Sequence, residues 1–135
     1  MSRSPRRARA VIDADHVGRL EALADAASAR LPDVAEPLFA KLATAKILSG
    51  RKMPADVITM GTALTFCDDI SGREQDVTLV WPELADIGQG AISVLTPIGI
   101  ALLGLPVGGS VSWMTRMGHK RALTVLRLGI SSEAA

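Results

Sequence analysis

Few residues of this chain are of the types that carry out catalysis. The sequence has one cysteine, Cys67, and two histidines, His16 and His119, so a Cys/His zinc site cannot be assembled. Cys67 has no basic partner nearby in sequence, and Ser93 lies in a predicted strand without a GxSxG motif. We therefore expect no enzymatic activity, no metal site and no cofactor.

Glycine is concentrated in two segments, residues 88–90 and 104–109. Neither segment has the GxGxxG or GxxxxGK[ST] spacing with which phosphate-binding loops open a helix. Both are predicted to be turns rather than nucleotide-binding loops.

Two carboxylates, Asp33 and Glu36, stand three residues apart at the start of the second predicted helix. Such a pair could hold Mg²⁺ inside a partner's active site, because Mg²⁺ prefers oxygen ligands. The same spacing is typical of a helix-capping box, and Pro37 is a further signal of a helix start. Capping is the favoured interpretation, and metal delivery is the alternative.

Charge is distributed unevenly along the chain. Four of the 15 basic residues lie within the first nine positions, and residues 10–135 carry a net charge of −3. General nucleic-acid binding needs clustered Lys and Arg, so we expect nucleic-acid contact only through a protein partner. An alternative is that the arginine-rich start of the chain is itself an anchor for nucleic acid or another anionic surface.

A second charge asymmetry separates residues 68–86, which are mainly acidic, from residues 116–127, which are basic without an acid. The two segments either form an oriented docking surface or attract each other within a sheet. The sequence leaves both interpretations open.

The sequence predicts no membrane-spanning segment and no secretory signal. Its most apolar stretch, residues 97–109, is shorter than the ~20 residues that a spanning helix needs. Only three apolar residues follow the basic start, fewer than a signal peptide requires. We expect a cytoplasmic protein.

The pattern of apolar residues divides the chain into two structured parts between tails. Residues 1–12 are predicted to be a disordered basic tail, and residues 131–135 a second tail. Residues 13–50 form an antiparallel helical hairpin, or short coiled coil. Its first helix covers 14–30 with Asp13 or Asp15 as N-cap, and the second carries an apolar stripe through Leu38 and Leu42 to Ile47 or Leu48.

Residues 51–130 are predicted to be rich in β-structure. Strands are expected at 57–60, around 64–67, at 77–81, around 92–94, at 111–115 and at 123–128, with a hairpin turn at 68–72. One short helix is expected after the fourth of these, with Thr96 as N-cap, Pro97 in its first turn and Gly104 at its end. The class is α+β, built on an antiparallel sheet.

Three segments of this part have a specific pattern: MPADVITM at 53–60, LVWP at 79–82 and ISVLTPIGIALLGLPVG at 92–108. In order and spacing they closely resemble the Gre transcript-cleavage factors, in particular the branch named for regulation of nucleoside diphosphate kinase. The resemblance implies an FKBP-like domain over residues 51–130, preceded by a short coiled coil. It also implies binding to RNA polymerase at the rim of the secondary channel.

The resemblance assigns the polymerase contact to the turn between a strand and the short helix, here Leu95, Thr96, Pro97 and Ile98. Proline fixes its backbone φ, so this turn would dock as a rigid apolar projection. Gre factors usually have an acidic residue where this chain has Leu95. The apolar residue fits the branch named above.

Gre factors deliver Mg²⁺ with acidic residues at the tip of a long coiled coil. The hairpin of this chain is much shorter, so Asp33 and Glu36 are not expected to reach a polymerase active centre. The prediction is a monomeric regulator that binds the channel rim without stimulating cleavage, and that controls nucleoside diphosphate kinase. The alternatives are a cleavage factor that uses the two acids, and an FKBP-like prolyl isomerase.

Overall fold

The computed structural model describes residues 9–115 and 117–129, and this part of the chain folds into α-helices and two β-sheets. The elements in chain order are β1 (Val11–Asp13), α1 (Ala14–Ala27), α2 (Pro32–Thr44), β2 (Lys46–Leu48), β3 (Ala63–Asp68), β4 (Glu74–Val80), β5 (Ala91–Ser93), α3 (Pro97–Leu102), β6 (Ser110–Met114) and β7 (Lys120–Leu128). The predicted α+β class, with two N-terminal helices and one short later helix, is confirmed.

The base of the helical hairpin differs from the prediction. Strand β1 pairs in parallel with β2, with Ile12 opposite Ile47. The prediction of a disordered tail was therefore wrong for residues 10–12, because Ala10 and Ile12 are buried in the core. Ile47 and Leu48 belong to a strand rather than to the second helix, since the backbone turns extended at Ala45. The tail predictions for residues 1–8 and 131–135 lie outside the described residues.

The larger sheet has the strand order β5-β4-β3-β7-β6. Its central pairs are antiparallel, but β5 runs parallel to β4, so the prediction of a wholly antiparallel sheet was wrong. The connection across residues 81–90, with short 3-10 turns at Pro82–Leu84 and Ile87–Gln89, brings the chain back to begin β5 in the same direction as β4.

Residues 57–60 do not form the predicted strand. Val57 makes a single bridge to Pro106, and Ile58 exchanges backbone hydrogen bonds with Gly104 and Leu105. A segment this short pairs with a loop rather than with a strand, so it does not extend the sheet.

The hairpin and the sheet share one hydrophobic core. Leu20 and Ala24 of α1 and Leu38 of α2 are fully buried together with Phe66 of β3 and Leu102 of α3. The helices therefore lie against the sheet, and the burial of their apolar faces holds them there.

Basic residues of β7 lie close to acidic residues of the segment 68–86 within the sheet. Arg121 of β7 lies 3.6 Å from Asp68, and Arg127 lies 3.6 Å from Glu74. These cross-strand contacts favour mutual attraction of the acidic and basic segments over a separate docking surface.

Candidate protein-docking site

The turn that the sequence singled out lies between β5 and α3. We call residues 95–98 the knuckle. Pro97 is exposed at its apex, whereas Leu95 and Ile98 are half-buried and pack against the core. The knuckle thus presents a proline ring to solvent on a base that is anchored from both sides.

Two hydroxyl side chains fix the backbone of the knuckle. The predicted N-cap is confirmed: Thr96 Oγ1 accepts a hydrogen bond from the Gly99 amide at 3.0 Å. The same hydroxyl donates to the Ser93 carbonyl at 2.7 Å. Ser93 Oγ in turn accepts from the Leu95 amide at 2.9 Å. The sequence predicts Ser93 only as a strand residue, although a serine two residues before the bonded amide is a known turn pattern.

Gly99 lets the first turn of α3 lie directly on the end of β5. A Cβ atom at this position would clash with the Ser93 carbonyl oxygen and would lie 2.9 Å from Val94 Cα. Glycine inside a helix costs roughly 1 kcal/mol relative to alanine. The close approach explains why glycine occupies this position despite that cost. It also fixes the orientation of α3 relative to the sheet.

The other end of α3 is held by Lys41 of α2. Its ammonium group donates to the carbonyl oxygens of Ile100 at 2.5 Å, Ala101 at 3.2 Å and Leu103 at 2.7 Å. These are among the carbonyls that a helix C-terminus leaves without an internal partner. Burial lowers the pKa of Lys41 to about 8. No local sequence pattern predicts a contact between residues that are so far apart along the chain.

The acidic pair does not form the predicted capping box. Leu31 is the N-cap of α2 and no side chain caps this end, because Pro32 already occupies the first turn and places Asp33 inside the helix. Asp33 and Glu36 instead line a groove of about 930 Å³ between α2, α3 and β6. The structure therefore brings both acids to the same groove as Pro97, which the sequence analysis did not anticipate.

Helix α1 is attached to the segment that follows β4. The guanidinium of Arg19 lies 4.1 Å from the centre of the Trp81 ring and pairs with Glu83. His16 meets the edge of the same ring with centroids 5.7 Å apart, and its Nδ1 lies 3.3 Å from Thr59 Oγ1. These contacts and the shared core hold the hairpin against the sheet.

The single cysteine, Cys67, lies on β3 and is partly exposed. Partial burial and the nearby carboxylates of Asp69 and Glu74 raise the pKa of Cys67, which favours the protonated thiol over the nucleophilic thiolate. Within residues 9–115 and 117–129, no three Asp, Glu, His or Cys side chains come together as metal ligands. No helix in this same part of the chain is both long enough and apolar enough to cross a membrane.

Comparison with known proteins places this arrangement in a family. Residues 53–129 match the family model of the GreA/GreB transcription elongation factor C-terminal domain. The chain is 38% identical to the "Regulator of nucleoside diphosphate kinase" of Escherichia coli K12, across 92% of this chain and 89% of that protein. It is 34% identical to transcription elongation factor GreA of Thermodesulfovibrio yellowstonii, across 57% of this chain and 49% of GreA.

A solved structure, a GreA/GreB transcription elongation factor from Nitrosomonas europaea, superposes with a TM-score of 0.71 at 30% identity. The match covers 90% of this chain and 99% of that structure. The β-sheet part with its knuckle is thus the C-terminal domain of the Gre type, and the chain belongs to the GreA/GreB family. Within that family it is similar over nearly its whole length to the regulator of nucleoside diphosphate kinase.

Proposed function

We propose that this protein is a non-enzymatic transcription regulator that binds RNA polymerase at the rim of the secondary channel through the knuckle. The observation that carries the proposal is the exposed Pro97 on a turn fixed by Ser93, Thr96 and Gly99. Such a turn loses little conformational entropy on docking, because its backbone is already ordered. The half-buried Leu95 and Ile98 would extend the apolar contact around the proline.

The position of the acidic pair supports binding without stimulation of transcript cleavage. Helix α1 has 14 residues and is therefore only about 21 Å long. Asp33 and Glu36 face a groove beside the sheet, and the helix that carries them is buried at Leu38 and bound to α3 by Lys41. Delivery of these acids to a distant active centre would require the hairpin to leave the core.

The printed name of the Escherichia coli relative extends the proposal to control of nucleoside diphosphate kinase. Binding to polymerase supplies an indirect route to that control, through transcription. A direct route would require a kinase-binding surface in addition to the knuckle.

The dispersion of the aromatic residues argues against the isomerase alternative. Phe66 is buried in the core, Phe39 lies on α2, and Trp81 is covered by Arg19. Of the four aromatics, only Trp113 lines the groove beside the knuckle. An FKBP-like isomerase pocket needs several aromatic side chains around one substrate proline.

The docking proposal is tested by recovery of RNA polymerase with immobilised wild-type protein and Pro97→Asn. We expect the substitution to reduce recovery strongly, because it removes the projecting ring. Pro82→Asn is a matched control, since Pro82 also begins a short helical turn but is not one of the knuckle residues 95–98. Equal recovery by wild type and Pro97→Asn would remove the knuckle from the site, and no recovery by the wild type would refute polymerase binding.

The absence of cleavage activity is tested on stalled elongation complexes. We expect no shortening of the nascent RNA when wild-type protein is added, at concentrations at which GreA produces cleavage. RNA cleavage that depends on Asp33 or Glu36, and is lost in the alanine variants, would establish the alternative function.

A further inference from the structure

Strand β6 lies at one edge of the larger sheet, and no other described strand pairs with its outer side. The Val125 amide bonds to the Gly109 carbonyl, and the Thr115 amide bonds to the His119 carbonyl. The antiparallel register then places Val111 and Trp113 in the bonded pairs with β7. The backbone groups of the alternate residues point away from β7: Ser110, Ser112 and Met114.

No hydrogen bond to another described residue engages these outward backbone groups. Two concave regions adjoin the strand. One is the groove of about 930 Å³ toward the first turns of α2, and the other, of about 1170 Å³, extends toward Arg9 and Thr44. Both are lined by Lys41 and Val111, so they adjoin each other along β6, and we call the two regions together the cleft.

The surface chemistry of this cleft favours a particular occupant. Trp113 and the largely exposed Met114 give it an apolar wall near the first turns of α2. Glu36 provides an exposed carboxylate at the same end. The ammonium of Lys41 donates its hydrogen bonds to three carbonyls at the C-terminal end of α3 rather than to Glu36.

Among the residues that the structure describes, the other charged side chains lining the cleft are Asp33 near Glu36, and Arg9, Lys120 and Asp69 in the second concave region. The second region therefore carries both signs. At the end near Met114, the exposed carboxylate of Glu36 favours a cation.

We propose that β6 accepts an extended segment of a partner protein as an additional strand of the sheet. The outward backbone groups of Ser110, Ser112 and Met114 would bond to the main chain of that segment. Its side chains on the cleft side would be aliphatic against Val111 and Trp113, and a Lys or Arg at one end would pair with Glu36. Exposed edge strands are templates for this kind of pairing.

The test uses a synthetic peptide of about seven residues, enough to span β6 at roughly 3.3 Å per residue. The peptide alternates valine and threonine and ends in lysine, and a second peptide ends in glutamate instead. Amide hydrogen exchange is followed residue by residue. We expect the lysine peptide to slow exchange at Ser112 and Met114, while the amides of Val111 and Trp113, which face β7, are protected with or without peptide.

Ser112→Pro removes one outward donor and leaves the bonds to β7 in place, since proline is tolerated on the open side of an edge strand. We expect about tenfold weaker peptide binding, with Ser112→Thr as the matched control that retains the amide. Unchanged exchange protection in β7 establishes that the proline variant is folded. Glu36→Lys should reverse the preference of the protein from the lysine peptide to the glutamate peptide.

Binding without protection of Ser112 and Met114, or no binding, would overturn the proposal. Equal binding of the two peptides would overturn the assigned role of Glu36. Protection of both amides in the free protein would show that the cleft is already occupied. If deletion of residues 1–8 removed that protection, the start of the chain itself would occupy the cleft. If dilution removed it, a second copy of the protein would occupy the cleft. Either result would contradict binding of a partner segment.

Discussion

At the scale of single residues, the knuckle is defined by side chains that act on the backbone next to them. Thr96 caps α3 and also holds Ser93, whose own hydroxyl holds Leu95. Gly99 allows these groups to meet, because no larger residue fits against the Ser93 carbonyl. The position of the exposed proline therefore depends on Ser93 and Gly99, which lie outside the knuckle, as well as on Thr96 within it.

Replacement of Thr96 by valine removes the capping oxygen while keeping the shape of the side chain. We expect a loss of about 1 kcal/mol in the free energy of unfolding, measured by urea denaturation. Thr96→Ser retains the hydroxyl and should stay close to the wild type. A valine variant as stable as the serine variant would contradict the role of the cap.

Replacement of Gly99 by alanine should destabilise the protein by about 1–3 kcal/mol, because the added methyl group overlaps β5. Gly18 is a matched control: it also lies inside a helix, but a Cβ there meets nothing within 4 Å. Gly18→Ala should leave stability unchanged or raise it by up to about 1 kcal/mol. Equal effects of the two substitutions would show that close packing at Gly99 is unimportant.

At the scale of secondary-structure elements, sequence patterns predicted the features that depend on neighbouring residues, such as helix caps and a β-hairpin. The N-cap at Thr96, the choice of Asp13 or Asp15 as cap of α1 and the hairpin between β3 and β4 followed from residues within a few positions of one another, and the structure shows that Asp13 is the cap of α1. Ile47 was misassigned because its apolar side chain continues the helical stripe, whereas pairing with β1 determines its conformation. The direction of β5, parallel to β4, was also not predicted, because it depends on the path of the connection through residues 81–90.

The link between α2 and α3 is the clearest case of a contact that no local pattern reveals, and it makes a pH-dependent prediction. The pKa of Lys41 is about 8 in the folded protein, below its ordinary value of 10.5. Between these two pH values the unfolded chain binds more protons than the folded chain, so stability rises with pH.

We therefore expect the free energy of unfolding of the wild type to increase from pH 8 to 10.5, relative to a Lys41→Met variant. The exposed Lys46 supplies the control variant Lys46→Met, which should keep the wild-type pH dependence. Groups common to all three proteins, such as Cys67, cancel in the comparison. If the difference in free energy of unfolding between wild type and Lys41→Met stayed constant or fell as the pH rose, burial would not govern the titration of Lys41.

At the scale of the whole molecule, the sequence separated a hairpin from a sheet, but the two share one core. Leu20 and Leu38 are as deeply buried as Phe66, and Trp81 is covered by residues of α1. The knuckle was predicted from the resemblance of residues 92–108. The groove that Pro97 of the knuckle shares with Asp33 and Glu36 was not predicted, because this groove depends on how α2 packs beside α3 and β6.

The central claim, docking of the knuckle on RNA polymerase, is tested most directly by displacement of fluorescently labelled GreA from polymerase. GreA has the same type of C-terminal domain, so the two proteins should compete for one site. The account predicts that wild-type protein displaces labelled GreA in a concentration-dependent manner and that Pro97→Asn displaces far less. Failure of the wild type to displace GreA, or equal displacement by both proteins, would contradict it.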